Sequence, residues 1–147
     1  MLSGPLGPQT LQYGEGARLM FDSVNAQGGI HGRKITLKVL DDAFDVARAV
    51  ENTKRLVEDD KVFLLFNNTG TAHTAAVLPY LAEKQTILFG PVTGASNLRD
   101  KYHRMLFHVR AGYANEAAKI LSQLRQIGVT RVAAFYQVIF AHWKSTN

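Results

Sequence analysis

Apolar residues recur along the chain in two alternating rhythms. Ala17, Met20, Phe21 and Val24 stand at i, i+3, i+4 and i+7 and predict an amphipathic helix, which Gly28-Gly29 ends. From Lys34 to Leu40 the polar residues alternate with Ile35, Leu37 and Val39, the period of a half-buried strand that runs into Asp41-Asp42. Val46, Ala49, Val50, Thr53, Leu56 and Val57 return to helical spacing behind Asp45, a suitable N-cap, with Glu51 and Arg55 placed for an i, i+4 ion pair. Val62 to Phe66 is a short continuous apolar run, as in a strand covered on both faces. A helix over about Ala72 to Lys84 follows, with Pro79 inside it, and then a strand over Thr86 to Phe89. Leu106 to Val109 reads as a segment able to pair as a short extra strand. Ala117, Ile120, Leu121 and Leu124 mark one side of a helix over Ala114 to Gln126, which Gly128 stops, and Val132 to Tyr136 is a final strand.

Helix and strand alternating over short connections predict a doubly wound α/β fold with a mostly parallel sheet. In such sheets ligands bind beyond the carboxyl ends of the strands. Three loops therefore carry the functional interest: Ser3 to Gly7, Asn67 to Thr71, and Gly90 to Ser96.

Composition narrows the chemistry. With 147 residues and no Cys, the chain is the size of one domain, and thiol catalysis, disulfides and cysteine-based zinc sites are excluded. The five histidines show no ligand-like spacing, so neither a metal nor a cofactor is expected. Its longest apolar runs are far short of the roughly 20 residues that span a bilayer, and the first ten residues lack the pattern of a secretory signal. Taken as written, the chain reads as cytoplasmic and not membrane-embedded. Charge is uneven: residues 1–83 carry 8 basic and 10 acidic groups, residues 84–147 carry 9 and 2. The basic half sets Arg99, Lys101, Arg104 and Arg110 near Tyr102, His103 and Phe107, but a solvated loop with its aromatics turned inward accounts for them, and no nucleic-acid partner is expected.

The loop Asn67-Asn68-Thr69-Gly70-Thr71 leads from a buried strand into a helix. Thr71 and the next free amides then stand where partial positive charge favours an anion such as a carboxylate, or Thr71 simply caps its own helix. In Gly90-Pro91-Val92-Thr93-Gly94-Ala95-Ser96, Gly94 allows close backbone approach to a ligand, and Thr93 and Ser96 offer hydroxyls. Other chemistries fail. Gly14-Glu15-Gly16 begins a dinucleotide fingerprint, but Leu19 holds its third glycine position and no P-loop occurs. Asp41-Asp42 lacks the further acid and lysine of a phosphoacceptor site and reads as a solvated turn. There is no nucleophile elbow or placed acid–base pair, so the chain is not expected to be an enzyme.

Taken together, these segments resemble the N-terminal lobe of the periplasmic solute-binding proteins of branched-chain amino acid ABC importers, the leucine/isoleucine/valine-binding type. The resemblance is carried by Leu2-Ser3-Gly4-Pro5, Gly16-Ala17, the run from Asn25 to Arg33, Asp41-Asp42, Leu56-Val57, Asn67 to Thr71, Gly90 to Ser96, and Phe107 to Arg110. The pattern Asn-x-x-Gly-Gly-Ile-x-Gly-Arg at its centre is the most specific.

This resemblance implies a type I periplasmic binding protein lobe that closes with a second lobe on a small ligand and delivers it to an ABC permease, in the periplasm. It further implies that Thr71, Thr93 and Gly94, with Ala72 and Ser96, hold the ligand's carboxylate and ammonium, and that Ser3 lines the cleft. Residues 1–137 correspond to a partial lobe lacking the family's first strand and its second lobe, and residues 138–147 form a tail without family likeness. The expected ligand is an amino acid or a related small carboxylate or amide, bound weakly or not at all by this chain. The alternative is an interaction or scaffold domain that self-associates or binds protein through its exposed sheet.

Overall fold

The computed structural model describes residues 3–4 and 7–134. Three Leu-Phe pairs build its sheet: β1 (Leu65–Phe66), β2 (Leu88–Phe89) and β3 (Leu106–Phe107) lie in the order β1-β2-β3, all parallel. The register sets Leu65, Leu88 and Leu106 in one row and Phe66, Phe89 and Phe107 in the next. Successive strand residues point to opposite faces, so the leucines share one face and the phenylalanines the other.

The leucine face is the core. The three leucines cluster with Leu98 and with Val77, Leu78 and Leu81 of α3 (Thr71–Glu83), and Val50, Leu56 and Val57 of α2 (Val46–Glu58) pack against that cluster. Leu81, Leu88 and Val77 are wholly buried. On the phenylalanine face, α1 (Gly7–Ala26) brings Phe21 to within 5.8 Å of Phe66. Helices thus lie on both faces of a parallel sheet, which is the doubly wound arrangement that the alternation predicts.

Local chemistry accounts for the helix boundaries. Asp45 caps α2, its Oδ1 accepting from the Arg48 amide at 2.7 Å. At the end of α1, Gly29 has φ +76°, and a Cβ there would overlap the Arg33 carbonyl. Ile30 and Arg33 then exchange backbone hydrogen bonds of 2.9 and 3.0 Å across His31-Gly32, both at positive φ, a tight turn of the hairpin kind. The Asn25 carboxamide donates to the Ile35 carbonyl (2.8 Å) and accepts from its amide (2.7 Å), as a neighbouring strand would. The Asn25 to Arg33 pattern is therefore a helix stop, a turn and a clamp on the chain that follows.

Several expectations need correction. α1 begins at Gly7, within the segment read as an opening loop, and Met20, placed on its buried stripe, is 62% exposed, whereas Ala17, Phe21 and Val24 are half-buried. Gly14 and Gly16 lie inside this helix, a position incompatible with a phosphate-binding turn. Lys34 to Leu40 makes no strand ladder, because none of the described residues pairs with its backbone beyond Ile35. Asp41-Asp42 is not a solvated turn: Asp42 is buried and accepts from the Phe44 amide, and Asp41 accepts from Ala43. Glu51 and Arg55 are both exposed and form no ion pair.

Residues through Tyr113 form one compact unit and those from Ala114 onward a second. The second holds the body of α4 (Tyr113–Gln126), which ends where the Val129 amide donates to the Leu124 carbonyl at 2.9 Å. Of the final strand, Val132 to Ala134 pairs with no described residue, and Phe135 and Tyr136 lie outside the described residues.

α2 and α3 are clamped at their ends. The Tyr80 hydroxyl donates to Glu58 Oε1 at 2.9 Å, and Lys84 Nζ stands 3.3 Å from the same oxygen. The Tyr80 hydrogen bond, helped by Lys84, holds the Glu58 carboxyl below its ordinary 4.5, while burial and that same bond push Tyr80 up to about 12. A depressed carboxyl stabilises the fold above its unfolded-state value, and the contribution is lost as pH falls through the folded value. Tyr80→Phe is therefore expected to move the Glu58 titration upward toward 4.5 and to remove part of the acid-side loss of stability, as read by carboxyl NMR and by unfolding at a series of pH values. An unchanged Glu58 titration would contradict the clamp.

Candidate functional site

The carboxyl ends of β1 and β2 feed the two loops in which the sequence places binding chemistry, and the structure laces these loops together. The Gly70 amide donates to the Val92 carbonyl (3.3 Å) and the Val92 amide to the Asn68 carbonyl (2.8 Å), so pairing continues past the strands as a Thr69–Val92 bridge. α3 starts immediately afterwards, with Gly70 as its N-cap. The first helical bond runs from the Thr74 amide to the Gly70 carbonyl at 3.0 Å. The amides of Thr71, Ala72 and His73 precede it and form the positive end of the helix.

Thr71 is not the cap. Its Oγ1 lies 2.7 Å from Thr93 Oγ1, and no side chain caps α3. Thr93 is wholly buried, and its hydroxyl oxygen accepts from the Ala95 amide at 3.2 Å. A hydroxyl has one hydrogen to give. If Thr93 gives its own to Thr71, the hydrogens run in one direction, from the Ala95 amide through Thr93 to Thr71, and half-buried Thr71 has its hydrogen left for a bound group. Chains of this kind polarise one another. Neither loop has a charged side chain from Asn67 to His73 or from Gly90 to Leu98. The corner is thus an array of neutral donors at a helix N-terminus, suited to a carboxylate.

The structure brings Thr71, Ala72, Thr93 and Gly94 into this corner, with Gly94 in a different part from the one sequence suggests. Gly94 is buried, its carbonyl accepts from the Tyr113 amide at 2.7 Å, and a Cβ on it would stand 2.5 Å from the Tyr113 ring and 2.8 Å from the Tyr113 nitrogen. The group approaching Gly94 closely is Tyr113. Ser96 is exposed, opens the 3₁₀ turn Ser96–Leu98, and its carbonyl accepts from the amides of Arg99 and Asp100. Ser3 is exposed and bound to Asp41, through its amide at 3.2 Å and its hydroxyl at 2.6 Å.

Two contributors escaped the sequence reading. His73, counted there among ordinary histidines, is 3% exposed, stacks on Phe44 at 4.6 Å, and lies over Gly70 with neither ring nitrogen hydrogen-bonded. It connects the Asp41 to Asp45 turn with the first turn of α3. Arg99, counted among the basic surface residues, turns its guanidinium inward to the carbonyls of Thr93 (3.1 Å) and Arg110 (2.7 Å) and fixes the second loop to the chain after β3. A histidine in the first turn of a helix, three residues after a glycine, carries no sequence signal of burial. Nor does an arginine show in advance that it will serve backbone carbonyls. Among the described residues no cluster of three acidic, histidine or cysteine side chains is placed to hold a metal.

A parallel α/β lobe with donors gathered at the carboxyl ends of its strands is the architecture of a small-ligand binding domain. The profile of the family described as "Periplasmic binding protein" matches residues 1–141, and the chain belongs to that family. It is 34% identical over 86 residues to an "Amino acid binding protein" of Pseudomonas aeruginosa, covering 58% of this chain and 22% of that protein. To a Leu/Ile/Val-binding protein of Rhizobium johnstonii it is 29% identical over 100 residues, 66% of this chain and 26% of the relative. Among solved structures, it superposes with a TM-score of 0.78 and 31% identity on a possible leucine/isoleucine/valine-binding protein from Rhodopirellula baltica, over 86% of this chain and 34% of that one. A substrate-binding periplasmic protein from Ralstonia solanacearum gives 0.78 and 34%, over 86% and 36%. The chain spans about a quarter of the length of these two curated relatives.

The contrast between glycines is testable. Gly94→Ala is expected to destabilise by about 1–3 kcal/mol, the cost of forcing atoms into filled space. Gly16→Ala, where an added Cβ meets nothing within 4 Å, should stabilise α1 by about 0.5–1 kcal/mol. Denaturant unfolding of the two variants measures both, and equal effects would contradict the assigned role of Tyr113.

Proposed function

We propose that this chain belongs to the substrate-binding component of an ABC importer for branched-chain amino acids or related small carboxylates and amides. It acts on the periplasmic side, is not an enzyme, and in the assembled system passes its ligand to a membrane permease. The observation that carries this reading is the Ala95–Thr93–Thr71 hydrogen-bond chain ending at the N-terminus of α3. Thr71 donates to the ligand carboxylate together with the amides of Ala72 and His73. Buried Thr93 orients Thr71 without touching the ligand, and Gly94, Ser96 and Ser3 shape the surrounding loops. Support also comes from the relatives, whose names describe amino acid and Leu/Ile/Val binding.

Small-ligand sites bury about 70–90% of the ligand. The Thr71–Thr93 corner supplies one wall of such a site, so this chain alone binds weakly, with a dissociation constant on the order of 1 mM or above. Amide NMR during a leucine titration tests this, with leucinol, which lacks the carboxylate, as the control. Signals of Thr71 to Thr74 and of Ala95 are expected to move with leucine and not with leucinol. Thr71→Val should weaken the response about tenfold or more, since a hydrogen bond to a charged group contributes about 1.5–3 kcal/mol. Equal responses to the two compounds, or none at tens of millimolar, would overturn the reading.

A further inference from the structure

The neutral donors of the Thr71–Thr93 corner have a formal charge behind them. Arg99 follows the 3₁₀ turn Ser96–Leu98 and brings its side chain back to the second loop, where one Nη2 group donates to the Thr93 carbonyl at 3.1 Å and to the Arg110 carbonyl at 2.7 Å. Its Nε is buried with no hydrogen-bond partner among the described residues. Gly112 lies against the same stretch of side chain, since a Cβ added there would stand 3.6 Å from Arg99 Cδ. No described carboxylate forms an ion pair with Arg99, and Asp100, its neighbour in sequence, is exposed. Two carbonyls can be joined by a neutral donor, so a half-buried cation without a counter-charge is a costlier device than the fold requires. That charge is fixed to Thr93, the residue whose hydroxyl meets Thr71.

Resting on the reading of this corner as a carboxylate site, we propose that Arg99 is a specificity-determining residue that acts without touching the ligand: its charge makes the corner select a carboxylate over an uncharged carboxamide of the same shape. The corner's own groups discriminate weakly between the two, because an amide or a hydroxyl donates to a carboxamide oxygen as well as to a carboxylate. A guanidinium discriminates by formal charge, and in a partly buried setting its attraction extends beyond direct contact. Two carbonyls hold the Arg99 group in place, and an arginine stays protonated at every working pH, so the preference neither wanders nor titrates. The bound carboxylate supplies the counter-charge that no described residue provides.

Amide NMR titrations of the whole chain with 4-methylpentanoate and with 4-methylpentanamide, ligands of one shape that differ in charge, test this in the wild type, Arg99→Gln and Arg99→Lys. Arg99→Gln keeps a donor for the carbonyls and loses the charge. It is expected to weaken the acid's effect on Thr71 to Thr74 about fivefold and to change the carboxamide's by less than about twofold. Arg99→Lys keeps the charge and should retain most of the acid's binding. In the wild type the buried Arg99 Nε–H signal is expected to move with the acid and not with the carboxamide, a readout that needs neither variant to fold. Equal weakening of both ligands by Arg99→Gln would reduce Arg99 to a fastener of the loop and overturn the proposal. So would unchanged binding of the acid, an Arg99→Lys variant as weak as Arg99→Gln, or an Nε–H signal that ignores the acid. Leucine separates this proposal from the reading beneath it. If leucine leaves Thr71 to Thr74 of the wild type unmoved, the carboxylate reading fails and the role of Arg99 with it. If leucine moves them and Arg99→Gln still prefers the acid, the role of Arg99 alone is overturned.

Discussion

The row of Leu65, Leu88 and Leu106 against Val77, Leu78 and Leu81 is the contact on which the rest of the structure depends. Each strand is only two residues long, too short to hold a sheet by hydrogen bonding alone. Burial of the leucine row fixes the register, because a shift by one residue would exchange leucines for phenylalanines on the core face. Once the register is set, the carboxyl ends of β1 and β2 come side by side, the Thr69–Val92 bridge forms, and Thr71 meets Thr93. The Thr71–Thr93 corner is thus a consequence of core packing at the other end of the same short strands.

Function follows from polarity as much as from position. The corner offers amides and a hydroxyl, the neighbouring Arg99 guanidinium is turned to the Thr93 and Arg110 carbonyls, and the second loop's carbonyls already serve the fold: Val92 for Gly70, Thr93 for Arg99, Gly94 for Tyr113, Ser96 for Arg99 and Asp100. An anionic group therefore finds free donors there, whereas a cationic group meets acceptors that are already engaged. This asymmetry supports the proposal that a carboxylate is anchored at this corner.

Much of this was legible in the sequence. Helical spacing located the cores of α2 and α4, the apolar run at Val62 to Phe66 located β1, and Gly70 and Thr71 marked the start of a helix. The resemblance carried by Asn25 to Arg33 pointed to the family to which the chain belongs. What escaped depends on tertiary partners. Alternation at Lys34 to Leu40 describes a strand, but a ladder needs a neighbour. Thr71 reads equally as a cap or as a donor until Thr93 stands beside it, and Gly94 reads as ligand space until Tyr113 fills it. His73 and Arg99 gave no local sign of burial or of their carbonyl partners, since both are common on surfaces.

The central claim is that an amino acid ligand sits at the Thr71–Thr93 corner, beyond the strand ends. Isotope-filtered NOE spectra of the labelled chain with unlabelled leucine test it most directly. The account predicts contacts from the leucine α-proton to the Thr71 methyl. Contacts instead to the methyls of Leu37, Val39 and Leu65, in the cleft beside β1, would contradict it.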